Sequence, residues 1–148
     1  MSDAMFPLDP VLDFLRLLWS IEHGLQRISK RMEGEIGITG PQRLVLRIVG
    51  RFPGVSAGEL AHIVRLHPST ITGILQRLVA SGLLARERDP QDSRRVRLRL
   101  KPRAAKYIQI APGTVEQSVR QALTHMGAPN VRAARKVLAE VARRLNEG

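Results

Sequence analysis

The chain combines 148 residues and 43% hydrophobic content with a formal charge of +11 at pH 7, so it can bury one core and still attract a polyanion. The absence of cysteine excludes disulfides, thiolate metal sites and thiol redox switches, and an aromatic content of 3% argues against modules that stack single-stranded bases. Composition therefore favours double-stranded DNA as the partner, with an anionic membrane surface as the other surface of suitable charge.

The first predicted element is a helix over residues 8–33. No signal-peptide pattern and no unbroken apolar span precedes or includes it, so we expect a cytoplasmic protein without a membrane segment. Two apolar stripes recur along the helix, and because one core needs only one stripe, we expect a second subunit to cover the other. The first stripe contains Phe14, Leu17, Leu18, Ile21, Leu25, Ile28 and Met32, and the second contains Leu8, Leu12, Leu15 and Trp19.

Two capping motifs mark the starts of the next two helices. Thr39 and Gln42 have the spacing of a capping box, in which the threonine accepts from the third helical N–H and the glutamine bonds back to the cap. They predict a helix that runs to about Phe52. Ser56 and Glu59 repeat the motif and predict a short helix after it.

A further helix begins at Pro68 and ends near Gly82, because proline suits a first helical turn and disfavours helical geometry at the residue before it. Only residues 65–67 separate this helix from the one ending at Val64. A turn of three residues between two short helices is typical of a helix-turn-helix, whose second helix enters the major groove of DNA.

A hairpin follows the helix pair. Residues 83–88 and 96–100 are short strand-like runs that flank a turn-rich connection. In the second run Val96, Leu98 and Leu100 alternate with arginines, so one face of the strand is apolar. We expect this hairpin to pack on the core as the wing of a winged helix-turn-helix.

The C-terminal third is predicted to be helical. A helical stretch begins after Pro102 and continues to about Met126, and Pro112-Gly113 should kink or interrupt it. A break at residues 127–129 precedes a last helix, in which apolar residues recur every three or four positions, as in the seam of a coiled coil.

One side of the helix that begins at Pro68 carries short uncharged donors and no carboxylate. A solvated face usually mixes Glu with Lys, whereas small donors let a helix approach base edges closely. Gln76 and Arg77 can make bidentate contacts to adenine and guanine, the hydroxyl residues would more often hold phosphates, and Gly73 permits close approach of the backbone. An ordinary solvated face is the alternative. This reading face consists of Ser69, Thr70, Thr72, Gly73, Gln76 and Arg77.

The wing is strongly basic. Nine basic and three acidic side chains lie between Arg86 and Lys106, which gives a local charge of +6. An arginine at a hairpin tip can enter the minor groove, where the potential is most negative. Arg94 and Arg95 occupy the predicted tip, and Asp92 could accept from a guanidinium and fix it. For each single arginine, a generic surface charge is the alternative.

The segment from Ile38 to Lys101 carries a set of short motifs in a fixed order. They are Ile38-Thr39, Glu59-Leu60-Ala61, Pro68-Ser69-Thr70-Ile71-Thr72, Leu78, Gly82-Leu83 and Asp89-Pro90-Gln91-Asp92-Ser93-Arg94-Arg95. With these motifs, and with a similar helix order along nearly the whole chain, the sequence resembles the MarR family of transcriptional regulators. The aspartate and arginine of the wing, separated by one residue, are fairly specific when they follow such a helix pair.

The resemblance implies a mainly α fold with a small β-hairpin: a winged helix-turn-helix plus N- and C-terminal dimerisation helices. It implies a triangular homodimer in which the first, fifth and sixth helices interlock and two winged lobes read a pseudo-palindrome. It also gives Asp92 and Arg94 the wing positions associated with minor-groove contact. We therefore expect residues 1–148 to form one domain, with dimerisation helices at 8–33 and 102–147 and a DNA-binding lobe at 39–101.

Four residues depart from the family pattern. Lys101 and Ala104 stand where Thr and Gly are common after the second wing strand, so the fifth helix lacks its usual threonine cap. Gly73 stands where larger, often basic side chains are frequent, and Arg43 stands where an aromatic residue is common. These departures bear on the base contacts and the ligand pocket rather than on the fold.

A ligand pocket is a weaker expectation. Many MarR-like proteins release DNA when a small anionic or aromatic compound acts on the dimer, and Trp19, His23, Arg43 and Arg47 could line such a pocket. A dimer-interface role for Trp19 and a solvated basic stripe for the arginines are the plainer alternatives. The histidines are far apart in sequence, so we expect no metal and no other cofactor.

The predicted function is sequence-specific binding of double-stranded DNA by a transcriptional regulator, most simply a repressor. The alternative is a nonspecific or architectural nucleic-acid-binding protein, which the high charge and Gly73 favour. An enzyme is not expected, because the sequence has no phosphate-cradling glycine loop, metal-ligand spacing or nucleophile with its base. A membrane partner is disfavoured because the basic residues concentrate on a hairpin instead of along one amphipathic helix.

Overall fold

The computed structural model describes residues 6–109 and 112–147, which belong to two compact units that meet in sequence at residue 110. The second unit contains α5 (Val115–Met126) and α6 (Ala128–Asn146). The first unit contains α1 (Pro10–Glu35), α2 (Gly40–Arg51), α3 (Ala57–Val64), α4 (Pro68–Ala80), β1 (Leu84–Arg88), β2 (Val96–Leu100) and a 3₁₀ helix (Pro102–Tyr107).

The first helix starts two residues later than its apolar pattern suggested. The carboxylate of Asp9 accepts from the main-chain N–H groups of Val11 and Leu12, at 2.9 and 3.1 Å. Pro10 occupies the first helical position, where its missing N–H costs nothing. The pair of cap and proline therefore fixes the start of α1, and Leu8 lies outside the helix.

The two predicted capping boxes differ in outcome. At α2 both bonds form, since Thr39 accepts from the N–H of Gln42 and the Gln42 side chain accepts from the N–H of Thr39. At α3 only Ser56 accepts from the N–H of Glu59, at 3.1 Å. The Glu59 carboxylate instead forms an ion pair with Arg95 of the wing, so the prediction of a complete box at α3 was wrong.

The core of the first unit lies among α2, α3, α4 and the hairpin. Each of these elements is amphipathic and contributes apolar side chains to one cluster. The cluster fixes α4 and the wing to the same core. Its buried members are Ile38, Val45, Leu46, Val49, Val55, Leu60, Ala61, Ile71, Leu75, Leu78, Leu83, Leu84, Leu98 and Ala104.

The hairpin is antiparallel, and Leu84 pairs with Leu100 at its base. The predicted apolar face is correct for Leu98, which is buried, and for Leu100, which is half-buried. Val96 is exposed because it lies toward the free end of the hairpin, beyond the core. Leu98 also exchanges main-chain hydrogen bonds with the segment around Val55, which ties β2 to the start of α3.

Three helices of the described residues carry large apolar side chains that are exposed. In α1 only Met32 is buried, and neither α5 nor α6 contains a buried residue. Large apolar side chains are therefore exposed on all three helices, and cover of the first helix by a second subunit stays a prediction. In 6–109 and 112–147, no helix is both long and apolar enough to cross a membrane.

The C-terminal stretch is interrupted at the predicted Pro112-Gly113, but the segment before this break is a short 3₁₀ helix and not the start of a long helix, as had been expected. The residues after Pro102 form a short 3₁₀ helix, and α5 begins only after Pro112 and Gly113. The buried Thr114 caps α5, because its hydroxyl accepts from the N–H of Gln117 at 3.3 Å. The helix expected to lack a threonine cap thus has one, further along the chain than the family pattern suggested.

Candidate nucleic-acid interface

The helix α4 has a buried side and an exposed side. Ile71, Leu75 and Leu78 are almost fully buried and anchor the helix to the core. On the other side all reading-face residues are exposed except Gly73, which is half-buried. The structure thus brings together the six residues that the sequence assigned to this face, and their contact with DNA stays a prediction.

The start of α4 is capped by a histidine, which the sequence analysis missed. The Nδ1 atom of His67 accepts from the main-chain N–H of Ser69 at 3.1 Å and lies 2.7 Å from the Ser69 hydroxyl. Residues favoured at this position are Ser, Thr, Asp and Asn, so a search for helix caps passes over histidine. His67 therefore sets the first turn of the reading face.

Two hydroxyls of the reading face are already engaged within the protein. Thr72 donates from its Oγ1 to the main-chain oxygen of Pro68 at 2.9 Å, and Ser69 is paired with His67. Thr72 cannot donate its hydroxyl hydrogen to DNA without breaking its bond to Pro68. Ser69 can do so only if it gives up its contact with His67 or if the imidazole becomes the donor in that contact. Gln76 and Arg77 are the exposed long polar side chains that remain on this face.

Gly73 leaves a gap in the middle of the reading face. A Cβ atom built there would meet no side chain and no other element within 4 Å, and the backbone does not have the positive φ that favours glycine. Packing therefore does not require glycine at this position. Glycine in a helix interior is less favourable than alanine by roughly 0.5–1 kcal/mol.

The tip of the wing is organised by an aspartate that bonds to main chain. Asp92 accepts through Oδ1 from the main-chain N–H of Arg94 at 3.0 Å, and its carbonyl accepts from the N–H of Arg95. The sequence analysis had suggested a guanidinium as the donor to Asp92. The carboxylate does fix the tip, through the backbone instead.

Asp89, which the sequence analysis had not singled out, holds the base of the wing. Its Oδ1 accepts from the N–H of Gln91 at 2.9 Å, and its Oδ2 accepts from Nε of Arg97 at 3.0 Å. The Gln91 N–H is the main cause of a lowered pKa for Asp89, and Arg97 adds to it against the opposing effect of burial. A hydrogen-bonded carboxylate between a turn and a strand is visible only once the hairpin is folded.

The wing arginines fall into paired and unpaired groups. Arg95, Arg97 and Arg99 form ion pairs with Glu59, Asp89 and Glu87. Across 6–109 and 112–147, no carboxylate lies within ion-pair distance of Arg94, which is exposed at the tip. The guanidinium of Arg94 can therefore approach a phosphate or a groove without first leaving an internal partner.

The four residues assigned to a ligand pocket have different surroundings. Trp19 and His23 are exposed on α1, with Trp19 62% accessible. Arg43 is 3% exposed and donates to the main-chain oxygens of Tyr107 and Gln109, so its interpretation as part of a solvated stripe was wrong. Arg47 is half-buried and donates to the oxygen of Ile108 at 3.5 Å.

A cavity of about 320 Å³ lies between the turn that joins α2 to α3 and the wing. Phe52, Val55 and Ile63 provide apolar walls, and Arg95 and Arg97 line its basic side. Both guanidiniums are held by carboxylates. None of the four residues expected to line a ligand pocket belongs to this cavity.

In the described ranges no three histidine or carboxylate side chains cluster as metal ligands would.

Comparison with known proteins identifies similar sequences. Residues 36–95 match the sequence model of the MarR family. The chain is 30% identical over 103 residues to YsmB, an uncharacterized helix-turn-helix transcriptional regulator of Bacillus subtilis, and the alignment covers 70% of each protein. It is 26% identical over 103 residues to the transcriptional repressor Rv2887 of Mycobacterium tuberculosis, covering 70% of this chain and 74% of that protein.

A similar fold occurs in the PcaV transcriptional regulator from Streptomyces coelicolor, crystallised in complex with its natural ligand. The TM-score is 0.73 at 25% identity, and the match covers 94% of this chain and 98% of that one. Together with the family match, this similarity confirms the predicted fold class of a mainly helical protein with a winged helix-turn-helix.

Proposed function

The chain belongs to the MarR family of winged helix-turn-helix transcriptional regulators, which bind DNA, and from this premise we propose that it binds a pseudo-palindromic operator as a homodimer and acts as a repressor. The observation that carries the proposal is the exposure of two separate contact elements on one core. The reading face of α4 suits a major groove, and the unpaired Arg94 at the wing tip suits the adjacent minor groove.

The charge pattern supports different roles for these two elements in DNA binding. The wing carries most of the local positive charge, which attracts any duplex, whereas the reading face carries the amide of Gln76 and the guanidinium of Arg77. Each good bidentate contact to a base discriminates by about 1–3 kcal/mol. Specificity is therefore assigned to Gln76 and Arg77, and general affinity to the wing.

The homodimer is proposed from the exposed apolar side chains of α1, α5 and α6. Val11, Leu17 and Trp19 on α1, with Leu123 on α5 and Leu145 on α6, are each at least 47% exposed. Surfaces of this kind mark interaction sites when they are contiguous along a helix. A second copy of the chain would cover them and would set two reading helices about one DNA turn apart, roughly 34–36 Å.

The repressor role and the effector are proposed by similarity. Rv2887 is a repressor, and the PcaV structure contains a natural ligand. We propose that a small molecule binds this protein and releases it from DNA, with Trp19 and His23 as candidate contacts because both rings are exposed on α1. Arg43 is assigned a structural role instead, because its guanidinium already binds main-chain oxygens.

Selection of duplexes from a random library tests the proposal. The account predicts enrichment of a pseudo-palindrome whose half-sites are centred 10–10.5 base pairs apart or a multiple of it. Footprinting on DNA upstream of the gene should then show protection over a similar sequence. If selection enriches no motif, sequence-specific regulation is refuted.

Nonspecific or architectural binding is the second candidate, favoured by the charge of +11 and by the gap at Gly73. Competition with unrelated duplex DNA separates it from the first. A specific regulator should resist a large excess of unrelated competitor, whereas an architectural protein should be displaced in proportion to competitor mass. A steep dependence on salt is expected of both.

A further inference from the structure

We propose that Thr72 and Gly73 form a methyl notch, a small apolar recess in the reading face that receives the 5-methyl group of a thymine in each half-site. The inference rests on the proposed function and deepens it, because it names the kind of base pair that faces the middle of α4. Gln76, one turn further along the helix, would then face an adenine.

The first observation concerns what Thr72 can offer to DNA. Its hydroxyl hydrogen is donated to the main-chain oxygen of Pro68 at 2.9 Å, and the side chain is exposed. Without breaking that bond, the residue presents its γ-methyl group and the lone pairs of the hydroxyl. Threonine methyl groups are among the apolar partners of thymine in the major groove.

The second observation is the open space beside it. At Gly73 a Cβ atom would meet no side chain and no other element within 4 Å, so the space in front of the helix backbone is open. Neither packing nor backbone geometry explains a residue that disfavours the helix. A close approach by an external group does explain it, since the absence of a side chain lets a base edge come near the helix backbone.

The third observation is the character of the side chains one turn from Thr72. Ser69, one turn before it, has its hydroxyl paired with His67, and Gln76, one turn after it, is uncharged. The charged side chain of this face is Arg77, which lies one turn after Gly73. A methyl group on the Thr72 side of the notch would therefore avoid desolvating a charge, which suits a thymine methyl.

Single replacement of each thymine by deoxyuridine in the selected duplex tests the proposal, because it removes only the methyl group and leaves base pairing intact. Wild-type protein should lose about fourfold in affinity at one thymine of each half-site, the effect expected for one buried methyl group. The variant Thr72→Val, which keeps a γ-methyl group in place, should retain this sensitivity. The variant Thr72→Ser, which removes the γ-methyl group, should abolish it.

Thr70→Ser is the matched control, because it removes a methyl group from the same exposed face but outside the notch. It should bind the thymine and deoxyuridine duplexes with the wild-type ratio. Gly73→Ala should weaken binding to the thymine duplex while raising the melting temperature of the free protein, because the Cβ partly fills the notch and alanine favours the helix.

The outcomes separate this inference from the function on which it rests. A selected motif in which deoxyuridine is tolerated at every position, or in which Thr72→Ser keeps the wild-type sensitivity, overturns the methyl notch and leaves specific regulation intact. A motif without a thymine opposite α4 does the same. Selection that enriches no motif overturns both.

Discussion

The carboxylate of Asp89 accepts a hydrogen bond from the guanidinium of Arg97 across the base of the wing, with Nε and Oδ2 3.0 Å apart. Asp89 is buried, and its second oxygen binds the N–H of Gln91 in the turn. One carboxylate thereby connects the strand β2 to the loop that leads to the wing tip. Arg94 lies at that tip, where Asp92 accepts from its main-chain N–H.

The lowered pKa of Asp89 predicts that the wing loses stability in acid. A carboxyl group whose pKa in the folded protein lies below its ordinary value of 3.8 stabilises the fold above that value, and the contribution is lost as the pH falls through the folded pKa. Asp89→Asn should therefore lower the urea midpoint at pH 7, and its difference from wild type should narrow below about pH 4.

Urea unfolding of both proteins at pH 7 and pH 3 makes the comparison. Asp13→Asn, which alters an exposed carboxylate on α1, is the control and should change the midpoint little at pH 7. An Asp89→Asn difference of equal size at both pH values would contradict the role given to ionised Asp89.

Removal of the unpaired arginine at the wing tip should weaken operator binding. Arg94→Ala is expected to lower affinity for the selected operator by roughly 10- to 100-fold, as for loss of one arginine that reads a groove. Arg120→Ala removes the same charge from α5 and should have a much smaller effect. Fluorescence anisotropy at one fixed salt concentration measures both variants, and equal losses would show that only net charge matters.

The cap at His67 should be replaceable by a better capping residue but not by alanine. His67→Ala should cost about 1 kcal/mol of stability, because the N–H of Ser69 loses its acceptor. His67→Asn should restore the cap and most of the stability. The melting temperature and the affinity for the operator should both fall in His67→Ala and both recover in His67→Asn. If His67→Asn restores the melting temperature but not the affinity, His67 itself contacts DNA.

The buried guanidinium of Arg43 should matter for folding. Arg43→Met leaves the main-chain oxygens of Tyr107 and Gln109 without their charged donor, so we expect a loss of about 3 kcal/mol in urea unfolding. Arg51→Ala, on the exposed end of the same helix, should lose no more than about 1 kcal/mol with its contact to the Phe52 ring. Similar losses in the two variants would refute a structural role specific to Arg43.

The order of the helices and strands could be predicted from local chemistry, although the stretch after Pro102 forms a 3₁₀ helix before α5 begins. Thr39 with Gln42, Pro68, and the alternation around Leu98 each act within a few residues, so the sequence displays them directly. The start of α1 was missed by two residues because the apolar stripe extends beyond the cap at Asp9. Periodicity alone cannot locate a cap.

The electrostatic organisation of the site could not be predicted, because its partners are distant in sequence. Arg43 binds oxygens 64 and 66 residues away, and Arg95 pairs with Glu59 of another element. In the sequence these arginines look alike, whereas the fold buries Arg43 and places Arg95 in an ion pair. The reading face could be predicted because its residues lie on one helix. The lack of an ion-pair partner for Arg94 could not be predicted, because only the fold shows which wing arginines pair with carboxylates.

Reading of DNA sequence by α4 can be measured as the ratio of affinities for the selected operator and a shuffled duplex of equal length. For the wild-type protein we expect a ratio of at least about 10³ at physiological salt. In the double variant Gln76→Ala/Arg77→Ala the ratio should fall by roughly 10-fold or more, while affinity for the shuffled duplex changes far less. A wild-type ratio near one, or a ratio that the double variant leaves unchanged, would contradict it.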